Sequence, residues 1–568
     1  MKESRFVVYP AVIFMILSAL VWGKTVGHSF VWDDEYFIVS NNAIHSWTSI
    51  PGYFTDISTS AGKGYAHAFG VFRPIRNISY LVDFKISHLD PRWCHLHNLI
   101  LHLLNALLVF LIAKELLKEK FSSLFAGLVY LIHPAQSEVV AWVKCRDDLL
   151  AGLFVFTAFL LWLRWHRALN IRQMIILAAL YFLACLSKEQ AIALPAAFLL
   201  YDILICGGNP FKRLWRLYLY LFLAGLTYLA WRHCFIGHTA QSVYLDGGFL
   251  PAMMTMFKVG VKYLLILAYP QRLLADYSGI LPLKSFIDWH LWLYAGILAL
   301  FAALVFKSRK RWPVGSFGLC WIVIFLLPVS NLVPMKQYMA ERFLYLPIAG
   351  FAVAMGAGLL FFRKHTSKIA AASVAIFILT GYGVRSEHRV NVWRNDYTLF
   401  AATVQDTPAY AVRPRINLLT VMLNNGEFEK ALPIAREIFN MIKDDPSFNA
   451  RDKAQSAGDL GLALLRTNNT ELAKKELLSA IKIDPSYVTP YIYLGFIEGK
   501  TGDHPSAIRW FKAAVRVCPE DPSAYYNLGV ALKEAGRPEE AKEALKNSIA
   551  CGYPGPEAHE TLAALDNK

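Results

Sequence analysis

Phe30-Val31-Trp32-Asp33-Asp34-Glu35 sets two carboxylates side by side just beyond the first membrane-length apolar run, Phe6 to Trp22. Acid at the mouth of a hydrophobic span lies close to a lipid head group and still in water. A membrane enzyme can hold a general base or a hard divalent ion there. Read alone, the triplet fits equally well the point where the chain leaves the bilayer. The surrounding chain decides between the two.

The 568 residues are 56% hydrophobic and only 17% charged, with a mean hydropathy of +0.37. Soluble chains carry about 25% charged residues, so most of this one dissolves in lipid. The net charge of +15 is not a nucleic-acid signal, because much of the basic charge falls in short clusters between apolar runs. Eight cysteines without metal spacing argue against a zinc site or a disulfide scaffold. The opening Met1-Lys2-Glu3-Ser4-Arg5 and the run after it lack a small-x-small cleavage site, and read as a retained anchor.

Apolar runs occupy 6–23, 96–113, 121–133, 149–163, 173–187, 190–206, 214–236, 289–306, 313–333, 344–362 and 367–385. A full crossing takes about 20 residues, so three of these runs are short. Clusters at Lys114/Lys118/Lys120, Arg164/Arg167/Arg172, Lys212/Arg213/Arg216, Lys307/Arg309/Lys310/Arg311 and Arg363/Lys364/Lys368 mark the cytoplasmic side. All fall on that side if 252–270 is re-entrant or interfacial rather than a crossing. The reading is eleven spans, N-terminus in and C-terminus out. It gathers four polar stretches on the outer face: the long loop 24–95, the loop 134–148, Ser187-Lys188-Glu189-Gln190, and Lys336 to Arg342. Each pairs acid with base, and this convergence favours a site over a loop marker.

From about residue 410 a period of 34 appears: Gly461, Gly495 and Gly529; Ala473, Ala507 and Ala541; Pro485 and Pro519. Small residues at a helix crossing and proline at the repeat end are the tetratricopeptide pattern. Repeats are read at 454–487, 488–521 and 522–555, with a degenerate one near 412–445 and a capping helix at 556–567. Stacked repeats bury faces that one repeat cannot and present a surface for a protein partner or acceptor. The predicted organisation is all-α: a membrane domain over 1–385, an amphipathic linker over 386–410, and a repeat solenoid over 411–568.

Transfer of a sugar from a lipid phosphate needs a base for the acceptor hydroxyl and cations for the departing phosphate. Asp33 and Asp34 supply carboxylates for a base or a metal site. Arg146 and Arg342 suit phosphate through their planar donor forks, and Lys188 follows; an ionisable residue at membrane depth is a functional candidate by default. Rival readings stand beside these. Arg342 and Lys188 would neutralise Glu341 and Glu189, Arg146 with Asp147 and Asp148 would be a solvated loop end, and His133 would cap a helix. His95, His97 and His102 read as polar packing groups rather than a metal triad.

Several stretches carry a resemblance, in order along the membrane half: Phe30 to Asp34 with Asn41, Phe72-Arg73-Pro74, Cys94-His95-Leu96-His97-Asn98 through His102, His133-Pro134-Ala135-Gln136-Ser137-Glu138 leading into Arg146, Lys188-Glu189, Asp276-Tyr277-Ser278, and Ala340-Glu341-Arg342-Phe343-Leu344-Tyr345-Leu346-Pro347. Together with the repeats they resemble the TMTC family, transmembrane and tetratricopeptide-repeat O-mannosyltransferases. The resemblance implies a GT-C glycosyltransferase fold, an inverting displacement, and a dolichyl- or undecaprenyl-phosphate sugar as donor. It implies that Asp33 and Asp34 are base or metal site (magnesium or manganese), with Glu138 as a further acid. Arg146, Arg342 and Lys188 become donor-phosphate contacts, while Arg73, His97 and Glu341, inside the matching stretches, become supporting residues. The implied acceptor is a Ser or Thr hydroxyl of a protein. The implied home is a bacterial inner membrane with periplasmic repeats, or the endoplasmic reticulum with luminal ones. Two other readings remain: transfer to a glycolipid, polysaccharide or glycan, and a non-catalytic repeat-bearing scaffold.

Overall fold

The computed structural model describes residues 2–62, 65, 66, 70–207, 210–237, 244, 247–553 and 555–566, without the side chains of 2–8 and 210–213. Met1 and the side chains of Lys212 and Arg213 therefore lie outside the described residues. The described chain is helical, with no strand, and divides into units 1–407 and 408–568.

In the first unit, nine described helices are long and apolar enough to cross a membrane. Lys120–Ile132 and Pro134–Ala141, bent by 45°, make a tenth together, and Ile171–Ser187 and Pro313–Val329 are shorter apolar helices. Local chemistry sets the boundaries. Pro91–Leu117 starts on Asp90, whose carboxylate accepts the Arg92 amide, and stops at Lys118 in the left-handed conformation. Glu119 then caps Lys120–Ile132 by accepting the amides of Phe121 and Ser122. Small residues allow close helix contact. A Cβ on Gly318 or Gly350 would stand 2.4 Å from the other's carbonyl oxygen, which brings Pro313–Leu326 against Pro347–His365.

The segment expected to be re-entrant differs in form. Phe249–Ala268 is one unbroken helix of 20 residues, about 30 Å long at the α-helical rise. Its flanks nevertheless meet the same connection: before it, the Tyr244 hydroxyl bonds the Leu332 carbonyl, and after it, Tyr277 bonds Glu341. By length and composition the helix is able to cross a membrane.

A second difference concerns 386–410. Residues up to 407 pack within the first unit instead of forming an amphipathic linker. Val390, Trp393, Leu399 and Phe400 are buried, because Trp393 stacks on Trp142 and Phe400 meets Trp32 edge-on.

The second unit is a run of paired helices from Val412–Asn424 to Pro538–Ala550, followed by Glu557–Asp566. The period explains the pairing. A Cβ on Gly461, Gly495 or Gly529 would fall within 2.8 Å of Leu477, Phe511 or Leu545 on the facing helix. Ala473, Ala507 and Ala541 are wholly buried at the same crossings.

Candidate active site

Trp32 has a positive φ of 55°, which for a bulky residue costs on the order of 1–3 kcal/mol. That turn sends its two acidic neighbours different ways. Asp34 points inward and is fully buried. One carboxylate oxygen accepts the Val31 amide at 3.0 Å and the other accepts the Lys144 amide at 2.7 Å. Burial pushes the Asp34 carboxyl up to about 8, against those two amide donors. Asp33 stays at the edge, 3.3 Å from the Lys144 ammonium.

The same loop meets Trp142. The Trp32 and Trp142 rings stack with centroids 5.0 Å apart, and the Trp142 indole N–H donates to the Val31 carbonyl. Two cations approach that indole: Lys144 Nζ lies 4.5 Å from its ring centre and the Arg342 guanidinium carbon 5.6 Å. Arg342 is fixed by Glu138, whose carboxylate accepts its backbone amide at 2.7 Å and its Nη1 at 2.5 Å. The rival pairing of Arg342 with Glu341 does not form. Glu341 is buried and accepts the Tyr277 hydroxyl at 2.9 Å, with Arg389 at 3.7 Å. Burial raises its carboxyl to about 7.

Two expected phosphate contacts are placed differently. Arg146 is fully buried and uses its guanidinium within the fold: Nε to Asn98 at 2.7 Å, Nη2 to the Cys94 carbonyl at 2.7 Å, and Nη1 to Asp83 and His97. It is enclosed, so it is not a phosphate contact in this arrangement. Lys188 is buried in an ion pair with Asp148, not with Glu189. His97 bonds Asp83 at 2.8 Å and so helps to hold Arg146. Arg73 binds Asp147 and forks onto Glu189, at 2.8 Å from Nη2 and 3.4 Å from Nε. Asp33, Lys144, Arg73 and Arg342 keep 19%, 12%, 13% and 14% of their side chains exposed. The loops 24–95, 134–148, 187–190 and 336–342 thus meet on one face through named pairs.

The residues do not fit a divalent ion. Both Asp34 oxygens take amide hydrogens and Asp33 faces an ammonium. Among the described residues no group of three or more His, Cys, Asp or Glu is arranged to hold a metal. His95 and His102 turn to the Ser29 and Leu131 carbonyls, and His133 caps the turn after it by accepting the Ala135 amide.

Sequence reasoning missed Lys144 and Trp142. Lys144 stands two positions before Arg146 in the sequence, but its place in the turn before the Arg146–Trp165 helix is what brings it to Asp33.

The chain also has similarities to known proteins. Tetratricopeptide-repeat models match residues 454–487 and 499–536. Protein O-mannosyl-transferase TMTC3 of Homo sapiens is 24% identical over 587 residues, covering 94% of this chain and 63% of its own length. The chain is related in sequence to the TMTC proteins. Protein O-mannosyl-transferase Tmtc1 of Drosophila melanogaster is also 24% identical, over 73% of this chain and 59% of its own length. The chain therefore spans about 63% of the first of these relatives. Among solved structures, MamA from Desulfovibrio magneticus is 21% identical at a TM-score of 0.23, over 28% of this chain and 84% of that one, a likeness too slight to bear on function.

Proposed function

We propose that the chain is a membrane glycosyltransferase that moves a sugar from a polyprenyl phosphate to Ser or Thr hydroxyls of proteins on the luminal or periplasmic face. One observation carries the reading. An edge carboxylate, Asp33, and two cations, Lys144 and Arg342, gather about a single buried indole, Trp142. The acid suits proton removal and the cations suit a phosphate.

In the displacement, the acceptor hydroxyl oxygen bonds to the anomeric carbon as that carbon's bond to the phosphate oxygen breaks. The electron pair leaves with polyprenyl phosphate, and the hydroxyl proton passes to Asp33. Arg342 and Lys144 offset charge on the departing phosphate, as preorganised donors do best in a water-poor site. Arg73 and Glu138 hold the loops in register. This reading routes no step through a metal, so a chelator should leave the rate of transfer unchanged.

Two further features support a lipid-linked donor. A cavity of about 610 Å³ is lined by Leu200, Met256, Tyr263, Leu298, Phe301 and Val305, which suits an isoprenoid tail. Its Tyr263 hydroxyl bonds the Ala340 carbonyl at 3.3 Å, two residues from Arg342. The relatives' names make mannose the first sugar to try. Repeats that follow the transferase unit would dock the acceptor protein.

The test is transfer by the purified full chain from polyprenyl-phosphate mannose to a Ser/Thr peptide. Asp33→Asn should lower the rate on the order of 10²–10⁴-fold, the range of a lost general base. Wild-type activity in that variant would remove the assignment.

A further inference from the structure

The chain from Trp393 to Phe400 lies against the residues that aim Asp33. The Ser29 amide donates to the Arg394 carbonyl at 3.1 Å, and the Trp32 amide donates to Asp396 Oδ1 at 2.7 Å. The Trp32 ring lies between Trp142, stacked on it, and Phe400, edge-on at 5.6 Å. Trp142 in turn stacks on Trp393 at 5.7 Å. Three of these contacts fall on Trp32, the residue with a left-handed backbone immediately before Asp33.

Asp396 is free for this task because its neighbour caps the helix. Asn395 accepts the Thr398 amide while Thr398 returns a bond to the Asn395 amide. The carboxylate of Asp396, at the first helical position, therefore reaches across 364 residues of sequence to Trp32. A backbone amide held by an acceptor cannot swing, and the adjoining left-handed turn then has one orientation.

We propose that Asp396 is a positioning residue for transfer: its side-chain oxygen fixes the Trp32 amide and thereby the aim of the Asp33 carboxylate. The Asp396–Asp406 helix is the last of the first unit, so the chain that leads into the repeats also forms part of the active-site scaffold. This rests on the transferase reading for Asp33, while the clamp itself does not.

The experiment compares Asp396→Ala, Asp396→Asn and Phe400→Leu in the purified full chain. It reads transfer from polyprenyl-phosphate mannose and deuterium uptake over residues 28–36. An ångström of misplacement in a reacting group costs on the order of a hundredfold. Asp396→Ala should lower kcat by about that factor with the donor KM unchanged, and speed uptake over the loop. Asp396→Asn keeps an oxygen acceptor and should restore both readouts. Phe400→Leu, which keeps the hydrogen bond, should lower kcat less, again at constant KM. Wild-type kcat in Asp396→Ala overturns the proposal, as does an Asn variant as impaired as the Ala variant, or uptake that does not change. If the wild-type protein transfers nothing, the transferase reading fails, and the uptake contrast between Ala and Asn still decides the clamp.

Discussion

In the repeats, Arg537 and Glu540 pair one turn apart with 44% and 46% of their side chains exposed, and Lys542 reaches Glu539 from the helix surface. In the first unit, Arg146 and Asp83 meet with no exposure at all, Lys188 and Asp148 nearly so, and Glu138 is buried beneath Arg342. The same residue types do opposite work. Surface pairs in the repeats keep a helix face soluble while small residues and leucines bind the helices together. Buried pairs in the first unit join loops and helix ends far apart in sequence, and they leave only a few charges at the edge for chemistry. The charges that hold the site are therefore distinct from the charges placed to act.

The largest effect should come from breaking a buried pair. Arg146→Met leaves Asp83 enclosed without its guanidinium, a loss of about 3–5 kcal/mol for such pairs. We expect the variant to unfold or to melt far lower in detergent. Adding Asp83→Leu should recover part of the loss, because it removes the stranded charge. Acid makes the same test without mutation. Burial favours the neutral Asp83 carboxyl, yet Arg146 and His97 hold it below the usual range. A depressed carboxyl contributes stability above its unfolded value of about 3.9, and that contribution is lost as pH falls through the folded value. The first unit should lose melting temperature below about pH 4, and the Arg146→Met/Asp83→Leu protein should lose less.

The next effect separates the two aspartates. In Asp34→Asn one oxygen is replaced by an amide donor, so either the Val31 or the Lys144 N–H loses its acceptor. An unmet buried donor costs about 1–3 kcal/mol. The melting temperature should fall, with activity lost through loop disorder. Asp33→Asn, at the edge, should leave melting unchanged while transfer falls. Equal melting losses in both would erase the distinction between holding and acting charges.

The repeats and the membrane class were legible because each rests on short-range pattern. Apolar runs and a 34-residue spacing of Gly461, Gly495 and Gly529 need no knowledge of distant contacts. The candidate site was legible only as a set of loops on one face. Which aspartate turns inward goes with the φ of Trp32, whose amide is bonded to Asp396, 364 residues away. Arg146 looked like a phosphate ligand because its partners, Asp83, Cys94 and Asn98, come from elsewhere in the chain. Lys144 looked incidental for the converse reason. Local spacing shows which side chains are ionisable, but only the packed helices show which of them have already been neutralised.

A smaller effect should follow from the repeat core. A Cβ on Gly529 would lie 2.8 Å from Cγ of the buried Leu545, a side chain rather than backbone. Gly529→Ala should cost about 1 kcal/mol, the low end for overpacking, read as a lower denaturant midpoint for the repeat transition. Gly318→Ala in the first unit meets a carbonyl oxygen instead, which cannot turn, and should cost more.

The smallest effect should come from the exposed pairs, and its absence carries information. Arg537→Ala removes the partner of Glu540 on a solvated helix face, where such pairs often contribute nothing measurable because salt and side-chain entropy offset the attraction. Neither the repeat melt nor transfer should change. The comparison with Arg146 then sets a buried arginine with several partners against an exposed one whose carboxylate keeps Lys512. A loss of acceptor affinity in Arg537→Ala, with melting unchanged, would mean that this charge acts rather than holds, and would place the docking surface for the acceptor protein on that helix.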